Sequence, residues 1–287
     1  FRSLSSIPIV PCLGSVQDSD LLKHLLLDHQ INTVYHAAAY KHVPLVEENP
    51  LQGLRNNALG TQTLIEKCIE AEVNSFVLIS TDKAVRPTNV MGASKRIAEM
   101  IVQDAARRFP ESKIGIVRFG NVLDSSGSVV PLFREQIKKR MPITVTHPEI
   151  TRYFMSIGEA ARLVIQAGAM SKNGEVFLLD MGNPVRIRDL ALQMIELSGL
   201  IPEKDIPLQF TGLRSGEKLY EELLIDPAQA QPTIHPRIYS SEEPQPESEI
   251  LQKEIQLLSE AISKCDLNSA LESMKRLVPE YNSKNGQ

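Results

Sequence analysis

Residues 76–95 read FVLISTDKAVRPTNVMGASK. Phe76-Val77-Leu78-Ile79 is a short apolar run of strand formers, which predicts a buried strand rather than a helix. It ends at Ser80-Thr81-Asp82-Lys83. Charged residues straight after a buried strand stand where open α/β sheets take ligands, at the carboxyl ends of their strands. The same charges also fit a solvated loop. Arg86-Pro87-Thr88-Asn89 breaks the backbone, and a helix follows in which Met91 and Lys95 lie four apart on one face. A hydroxyl, a carboxylate and two ammonium groups, those of Thr81, Asp82, Lys83 and Lys95, can thus converge on one pocket.

Upstream, 7–12 is expected as a strand and 14–18 as its turn, with Asp18 or Ser19 capping a helix whose stripe is Leu21, Leu22, Leu25 and Leu26. Residues 33–39 are expected as a second strand. Its closing alanines, Ala37, Ala38 and Ala39, suit either a flat ligand or close helix packing, and His36 and His42 read as ordinary histidines. The spacing of Leu59, Thr63, Ile65, Cys68 and Ile69 predicts a helix over 57–71. Downstream, 95–109 is a helix stopped by Pro110, and 114–118 is a strand. The order β-α-β-α-β-α-β with short connections predicts an α/β fold, a doubly wound parallel sheet covered by helices.

Beyond residue 122 the texture changes. Short helices and strands are expected at 131–139, 143–146, 157–170 and 187–198, and a strand at 176–180 that returns to the main sheet. The last globular piece holds 207–210 and Arg214-Ser215-Gly216-Glu217-Lys218. We therefore expect a first domain over 1–121, a smaller α/β lobe over 122–227 partly interleaved with it, and a tail over 228–287. Residues 228–247, with Pro232, Pro236, Pro244 and Pro246, read as a surface linker. Leu251, Ile255, Leu258 and Ile262 form one helical stripe, and Asp266 can cap a second helix carrying Leu267, Leu271 and Met274. This tail is expected to pack on the body or on a partner subunit, and it favours a homo-oligomer.

Of 287 residues, 42% are hydrophobic and 23% charged, the balance of a globular protein with room for one large or two modest domains. A formal net charge of -4 offers no footprint for nucleic acid. Cys12, Cys68 and Cys265 lie far apart without metal-ligand spacing, so they are expected as isolated, buried thiols in a reducing cytoplasm, and no metal is expected. No apolar run approaches the roughly 18 residues of a bilayer-spanning helix, and no signal peptide precedes the first strand.

Several motifs follow one another in a telling order. His36-Ala37-Ala38-Ala39-Tyr40-Lys41-His42-Val43-Pro44, Asn57-Ala58-Leu59-Gly60-Thr61 and Ser80-Thr81-Asp82-Lys83-Ala84 come first. Met91-Gly92-Ala93-Ser94-Lys95-Arg96, Arg118-Phe119-Gly120-Asn121-Val122-Leu123, Thr151-Arg152-Tyr153-Phe154-Met155 and Arg214-Ser215-Gly216-Glu217-Lys218 follow. Through these stretches, over about residues 12–227, the chain resembles the nucleotide-sugar 4,6-dehydratases of the extended short-chain dehydrogenase/reductase superfamily. Its likeness is greatest to the polysaccharide-biosynthesis group acting on UDP-N-acetylglucosamine.

The resemblance implies a Rossmann-like NAD-binding domain, a substrate lobe and a dehydration. Hydride leaves C4 of UDP-N-acetylglucosamine for NAD, water is lost across C5 and C6, and the hydride returns to C6. The product is a UDP-4-keto-6-deoxy-N-acetylhexosamine for a bacterial surface polysaccharide or glycan. Asp82 is implied as the acid and Lys83 as the base, beside Thr81. A lysine base requires a pKa lowered by burial or by a neighbouring cation. Implied cofactor contacts are Val16, Asp18, Ala37, Ala38, Ala39, Asn57, Thr81 and Lys95. Lys41 and His42 would meet the sugar, and Asn121, Arg152, Arg214 and Glu217 the diphosphate and uridine, since the planar fork of arginine suits a diphosphate. For Arg152 and Arg214 a surface salt bridge is the alternative. Ser215 stands where the family often has Pro, and serine also makes the turn.

Two features depart from the family pattern. Position 91, usually a Tyr that takes the 4-hydroxyl proton, is Met, which has no ionisable group. The chain thus resembles the Met-bearing branch, which retains configuration at C5, and Thr81, Asp82 or a water must take that proton. A catalytically silent relative and an ordinary enzyme with an unusual Met are the other readings. The second departure is that no G-x-G-x-x-G precedes Thr33. The strand, glycine turn and helix N-terminus that hold the pyrophosphate of NAD are therefore expected to be missing from this chain, which alone should bind NAD poorly. NAD against NADP stays open, because the ribose-reading acid belongs to that part. The implied location is cytoplasmic, at the inner face of the membrane where a full-length protein carries an N-terminal membrane segment. A UDP-sugar 4-epimerase of the same fold, which has no need of an Asp82-Lys83 pair, and a non-catalytic UDP-sugar-binding protein are the rival readings.

Overall fold

In the computed structural model, which describes residues 7–222 and 230–283, the apolar run at 76–79 becomes β2 (Ser75–Ile79) of a six-stranded sheet. Three elements lead to it: α1 (Ser19–Asp28), β1 (Thr33–His36) and a helical stretch. That stretch comprises α2 (Val43–Glu48), α3 (Pro50–Leu54), a π-type turn (Arg55–Leu59) and α4 (Gly60–Glu70). After β2 come α5 (Val90–Arg108) and β3 (Lys113–Arg118). A small lobe follows, built from β4 (Asn121–Val122), α6 (Val129–Lys138), β5 (Ile143–Val145), β6 (Thr151–Arg152) and β7 (Phe154–Met155). The chain returns through α7 (Ile157–Met170) to β8 (Asn173–Leu179), then leaves again for β9 (Val185–Arg186), α8 (Ile187–Leu197) and β10 (Leu208–Phe210) of the lobe. It ends with β11 (Gln231–Pro232), β12 (Ile238–Ser241), α9 (Ser248–Ser263) and α10 (Leu267–Leu277).

The strand order is β1-β2-β3-β8-β12-β11. The first four strands run parallel, while β12 is antiparallel to β8 and β11 to β12. Alternation along the strands assigns the two faces. Phe76, Leu78, Ile114, Ile116, Val176 and Leu178 enter one core with α4, α5, α9 and α10. Val77, Val117, Phe177 and Leu179 enter a second core with α7 on the opposite face. Helices on both faces of a mostly parallel sheet make this the doubly wound, Rossmann-like α/β fold that the order of elements predicts. The lobe has its own core around Phe133, Ile143, Ile187 and Ile195.

Several elements differ from expectation. Residues 7–12 form no strand: Ile7, Ile9 and Val10 are exposed, and an apolar run that stays exposed gains little from extending a sheet. Strand β1 stops at His36 rather than at 39, because its ladder with β2 ends at the His36–Leu78 pair and the backbone of Tyr40 is engaged by the Asn57 side chain. Helix α5 begins five residues before 95, since the Asn89 side chain caps it by accepting from Gly92 N. The proline-rich stretch is not a linker over its described part. Ile238 is buried in the second core, β12 is a sheet strand, and Pro232 lies on the edge strand, where a missing N–H is tolerated. Residues 228 and 229, and the expected boundary at 227–228, lie outside the described residues. The tail helices bury Leu251, Ile255, Leu258 and Ile262 against the body of their own chain, and Asp266 caps α10. All three cysteines are unpaired, but only Cys68 is buried, whereas Cys12 and Cys265 are exposed. Among the described residues no helix is long and apolar enough to cross a membrane.

Candidate active site

At the end of β2 the chain makes a single tight turn (Asp82–Ala84), capped by the Thr81 hydroxyl and tied to the end of β3 by Ser80 N to Val117 O (2.7 Å) and Asp82 N to Phe119 O (3.2 Å). This turn faces a cavity of about 840 Å³ between the carboxyl ends of the sheet strands and the lobe. Thr81, Lys83, Met91 and Lys95 line its floor, and Ala37, Ala39, Lys41 and His42 the wall beyond β1. Asn121, Arg152, Arg214 and Glu217 line the lobe side. Asp82 lies just beneath, fully buried. Val16, Asp18, Ala38 and Asn57 do not line the cavity.

These four have other work. Asp18 caps α1 by accepting from Leu21 N (3.0 Å). Val16 packs against Gly60, where a Cβ would approach it to 3.0 Å. Ala38 is exposed in the loop after β1. Asn57 is fully buried and clasps that loop: its oxygen accepts from Tyr40 N (2.7 Å), and its amide donates to Tyr40 O (3.0 Å) and to Ser94 Oγ (2.9 Å). Replacing Asn57 with alanine orphans these groups, and we expect a stability loss of about 2–3 kcal/mol, read from the urea midpoint.

The Lys83 ammonium donates to Asp82 Oδ1 (2.9 Å) and Asn121 Oδ1 (3.3 Å), and Thr81 Oγ1 donates to the same Asp82 oxygen (2.9 Å). Asp82 Oδ2 is buried without a hydrogen-bond partner, against Gly120. The lowered pKa expected of Lys83 is not found. Burial pulls it down, but the carboxylates of Asp82 and Glu221 outweigh burial and raise it. Lys95 is the amine that burial does lower, to about 8, with Glu99 opposing. Its Nζ donates to Ile79 O (2.7 Å). Four residues earlier, Met91 is buried and offers no proton.

Gly92 lets α5 approach the turn, since a Cβ there would collide with the Lys83 carbonyl oxygen. A displacement of about 1 Å at a catalytic group costs up to about 10²-fold in rate. Gly92→Ala is therefore expected to lower kcat by at least tenfold while the far-ultraviolet circular dichroism of the folded chain is unchanged.

The segment 214–222 closes the site over both parts of the fold. Thr88 Oγ1 (2.8 Å) and Asn89 Nδ2 (2.9 Å) donate to Gly216 O, and Lys218 Nζ donates to Val85 O (2.8 Å). Gly216 has φ +72°, and a Cβ would press on Asn89 at 2.8 Å, so this close crossing needs glycine. Arg152 holds the segment from the lobe by donating to Lys218 O (2.8 Å) and Leu219 O (3.3 Å), and it lies 3.5 Å from Glu217. Its fork is thus occupied, whereas the Arg214 side chain is exposed at the cavity. The same segment brings in Glu221, a carboxyl that the sequence did not single out, 3.6 Å from Lys83 Nζ and 3.8 Å from Arg152 Nε. No local pattern marks it, because its partners lie far away in the chain.

Beneath the turn lies a second group, in which Arg118 of the sequence motif meets two carboxyls that the sequence did not single out, Glu99 and Glu243. Glu99 of α5 accepts from Ser80 Oγ (2.6 Å) and takes both arms of Arg118 (2.7 and 2.6 Å), which also reaches Glu243 (2.7 Å). Burial alone would raise the Glu99 carboxyl, but Arg118, Arg96 and Ser80 hold it at about 2. His36 is buried with Nε2 2.9 Å from Thr61 Oγ1, and burial lowers it to about 3, helped by the Lys95 charge. No His, Cys, Asp or Glu cluster among the described residues is placed to hold a metal ion.

A parallel α/β sheet with a ligand-sized cavity over the carboxyl ends of its strands, roofed by a small second lobe, defines a Rossmann-like ligand-binding protein. Residues 2–243 match the polysaccharide biosynthesis protein family, and the chain belongs to that family. It is 56% identical over 218 residues to the capsular polysaccharide biosynthesis protein CapD of Staphylococcus aureus, covering 76% of this chain and 36% of that one. It is 52% identical over 227 residues to the probable polysaccharide biosynthesis protein EpsC of Bacillus subtilis, covering 78% and 38%. The chain therefore spans well under half the length of these relatives. Among solved structures it is similar to Pen from Bacillus thuringiensis, with a TM-score of 0.75 and 35% identity over 81% of this chain and 72% of that one.

Proposed function

We propose that this site dehydrates UDP-N-acetylglucosamine to a UDP-4-keto-6-deoxy-N-acetylhexosamine, as the cytoplasmic lyase of a surface-polysaccharide or glycan assembly. The observation that carries the reading is the Asp82–Lys83 contact at 2.9 Å, with the amine on the cavity floor and the carboxyl buried just beneath it, the acid and base that proton exchange at two neighbouring carbons requires. Met91 has no ionisable group, so the 4-hydroxyl proton has to leave by another side chain.

The donor set fits a nicotinamide dinucleotide. Ala37 and Ala39 give a flat wall, and Lys95 points into the cavity with one carbonyl partner, leaving two donors for ribose hydroxyls. The chemistry NAD supplies when bound is reversible hydride storage, out of C4 and back to C6. The chain itself handles the protons. Thr81 takes the O4 proton and relays it along its hydrogen bond to Asp82. The C4 ketone acidifies C5–H, and Lys83 removes that proton as the C6 hydroxyl departs, protonated by Asp82, as water. Lys83 then returns its proton to C5 from the side it came from, which retains configuration. Arg214 and Lys41, exposed at the mouth, supply positive charge for the diphosphate.

The deciding experiment incubates the full-length protein with NAD and UDP-N-acetylglucosamine in deuterated water and follows the sugar by NMR. A 4-keto-6-deoxy product with deuterium at C5 is expected. A UDP-N-acetylgalactosamine product would assign a 4-epimerase instead, and an unchanged sugar a binding protein.

A further inference from the structure

Lys83 cannot enter this reaction as an ammonium, yet both carboxylates around it favour that form. If Asp82 carries the O4 proton to O6, it has no room for the proton that Lys83 must shed. The reading of Asp82 and Lys83 as the elimination pair therefore requires another acceptor within reach. Glu221 is the group in that position. Its Oε1 is 3.6 Å from Lys83 Nζ, and it is 8% exposed. Its Oε2 is fully buried with no hydrogen-bond partner. An ionised oxygen so placed costs far more than a protonated one.

We propose that Glu221 holds the proton of Lys83 through the catalytic cycle, so that Lys83 works as a free amine while Asp82 shuttles the substrate's own proton. The step balances within the pair: one N–H bond of Lys83 breaks, one O–H bond of Glu221 forms, and the ammonium–carboxylate pair becomes amine and carboxylic acid. The 3.6 Å gap is longer than a hydrogen bond, as catalytic contacts often are before substrate binds. The groups facing Glu221 are Lys83 and Asp82 on the turn, Arg152 on β6 and Lys218 on its own segment. Burial raises its affinity for a proton and Asp82 adds to that, while Lys83, Arg152 and Lys218 oppose. Met91 offers no proton site, and among the described residues Asp82 and Glu221 are the carboxyls within 4 Å of the Lys83 amine. Glu221 acts through Lys83 and touches no reacting atom, so it is a positioning residue.

The test is Glu221→Gln in the intact protein, read in two ways. If Glu221 is the acceptor, Lys83 stays charged in the variant. Then kcat at pH 7 falls by about 10²-fold, KM is little changed, and kcat climbs about tenfold per pH unit into the alkaline range as Lys83 loses its proton to solvent. A variant damaged only in structure is not rescued by alkali. The second readout needs no turnover, so it stands even if the proposed reaction proves wrong. It is the rate at which trinitrobenzenesulfonate labels Lys83 at pH 7, followed by mass spectrometry. Labelling slower than in the wild type is expected. Faster labelling in the Gln variant would reduce Glu221 to a counter-charge and overturn the proposal, as would a variant with wild-type kcat and pH profile.

Discussion

Lys83→Ala is expected to lower the rate of 4-keto product formation by about 10²–10⁴-fold, the usual contribution of a positioned acid–base group. The lysine is the amine of a tight pair with Asp82, held further by Asn121. Loss of its charge also leaves Asp82 and Glu221 facing one another without a cation between them. Glu221 then takes up a proton more readily, because the Lys83 charge that opposed it is gone, and the variant is expected to lose its C5 exchange with deuterated water while still gaining thermal stability from UDP. In the proposed reaction, hydride transfer from C4 would not need Lys83. A transient absorbance of reduced nicotinamide on mixing with substrate should therefore persist in the variant. A Lys83→Ala protein that forms product within threefold of the wild-type rate would remove the pair from the chemistry.

Arg118→Met should have the largest effect on stability, a loss of about 3–5 kcal/mol. Arg118 is fully buried, gives two bonds to Glu99 and one to Glu243, and lies under the floor of the site. Without the guanidinium, two buried carboxylates have lost their principal partner. The pH dependence has a definite sign. In the wild type the folded Glu99 pKa lies below its ordinary 4.5, at about 2. This carboxylate thus stabilises the protein above about pH 4.5, and that stabilisation is lost as pH falls towards 2. In the variant burial prevails and raises the pKa, so the charged form is the costly one. The gap between wild type and variant is expected to be widest at pH 7 and to narrow at pH 4, measured by urea denaturation at each pH. Because Ser80 donates to the same carboxylate, whose charge also acts on Lys95, the variant should also lose activity.

Much of the fold was legible because its signals are local. The run from Phe76 to Ile79 is a strand, Asp18 and Asp266 are helix caps, and α7 falls on the expected residues, since caps and periodicity act within a few positions. Strand β12 was missed because its evidence is not local. Two prolines flank it, and what makes it part of the sheet is its pairing along Ile238–Ser241 with Val176–Leu179, reinforced by the bond that Arg118 donates to Glu243. Residues 7–12 failed in the opposite sense, since their strand-forming side chains stay exposed instead of entering a core.

The site divides along the same line. Thr81, Asp82, Lys83, Met91 and Lys95 lie within fifteen residues, and the strand end and helix face that present them are written in that stretch alone. Whether Lys83 carries a proton is not written there, because charge state depends on which groups are brought within a few ångströms and how far water is kept away. Tertiary packing decided that, by carrying Glu221 and Arg152 to the turn from the far side of the lobe and by setting Glu99 and Arg118 beneath it. Local sequence set the identity and order of the reactive groups, and the folded chain set their electrostatics, since Coulomb interactions act through space and take no account of separation along the chain.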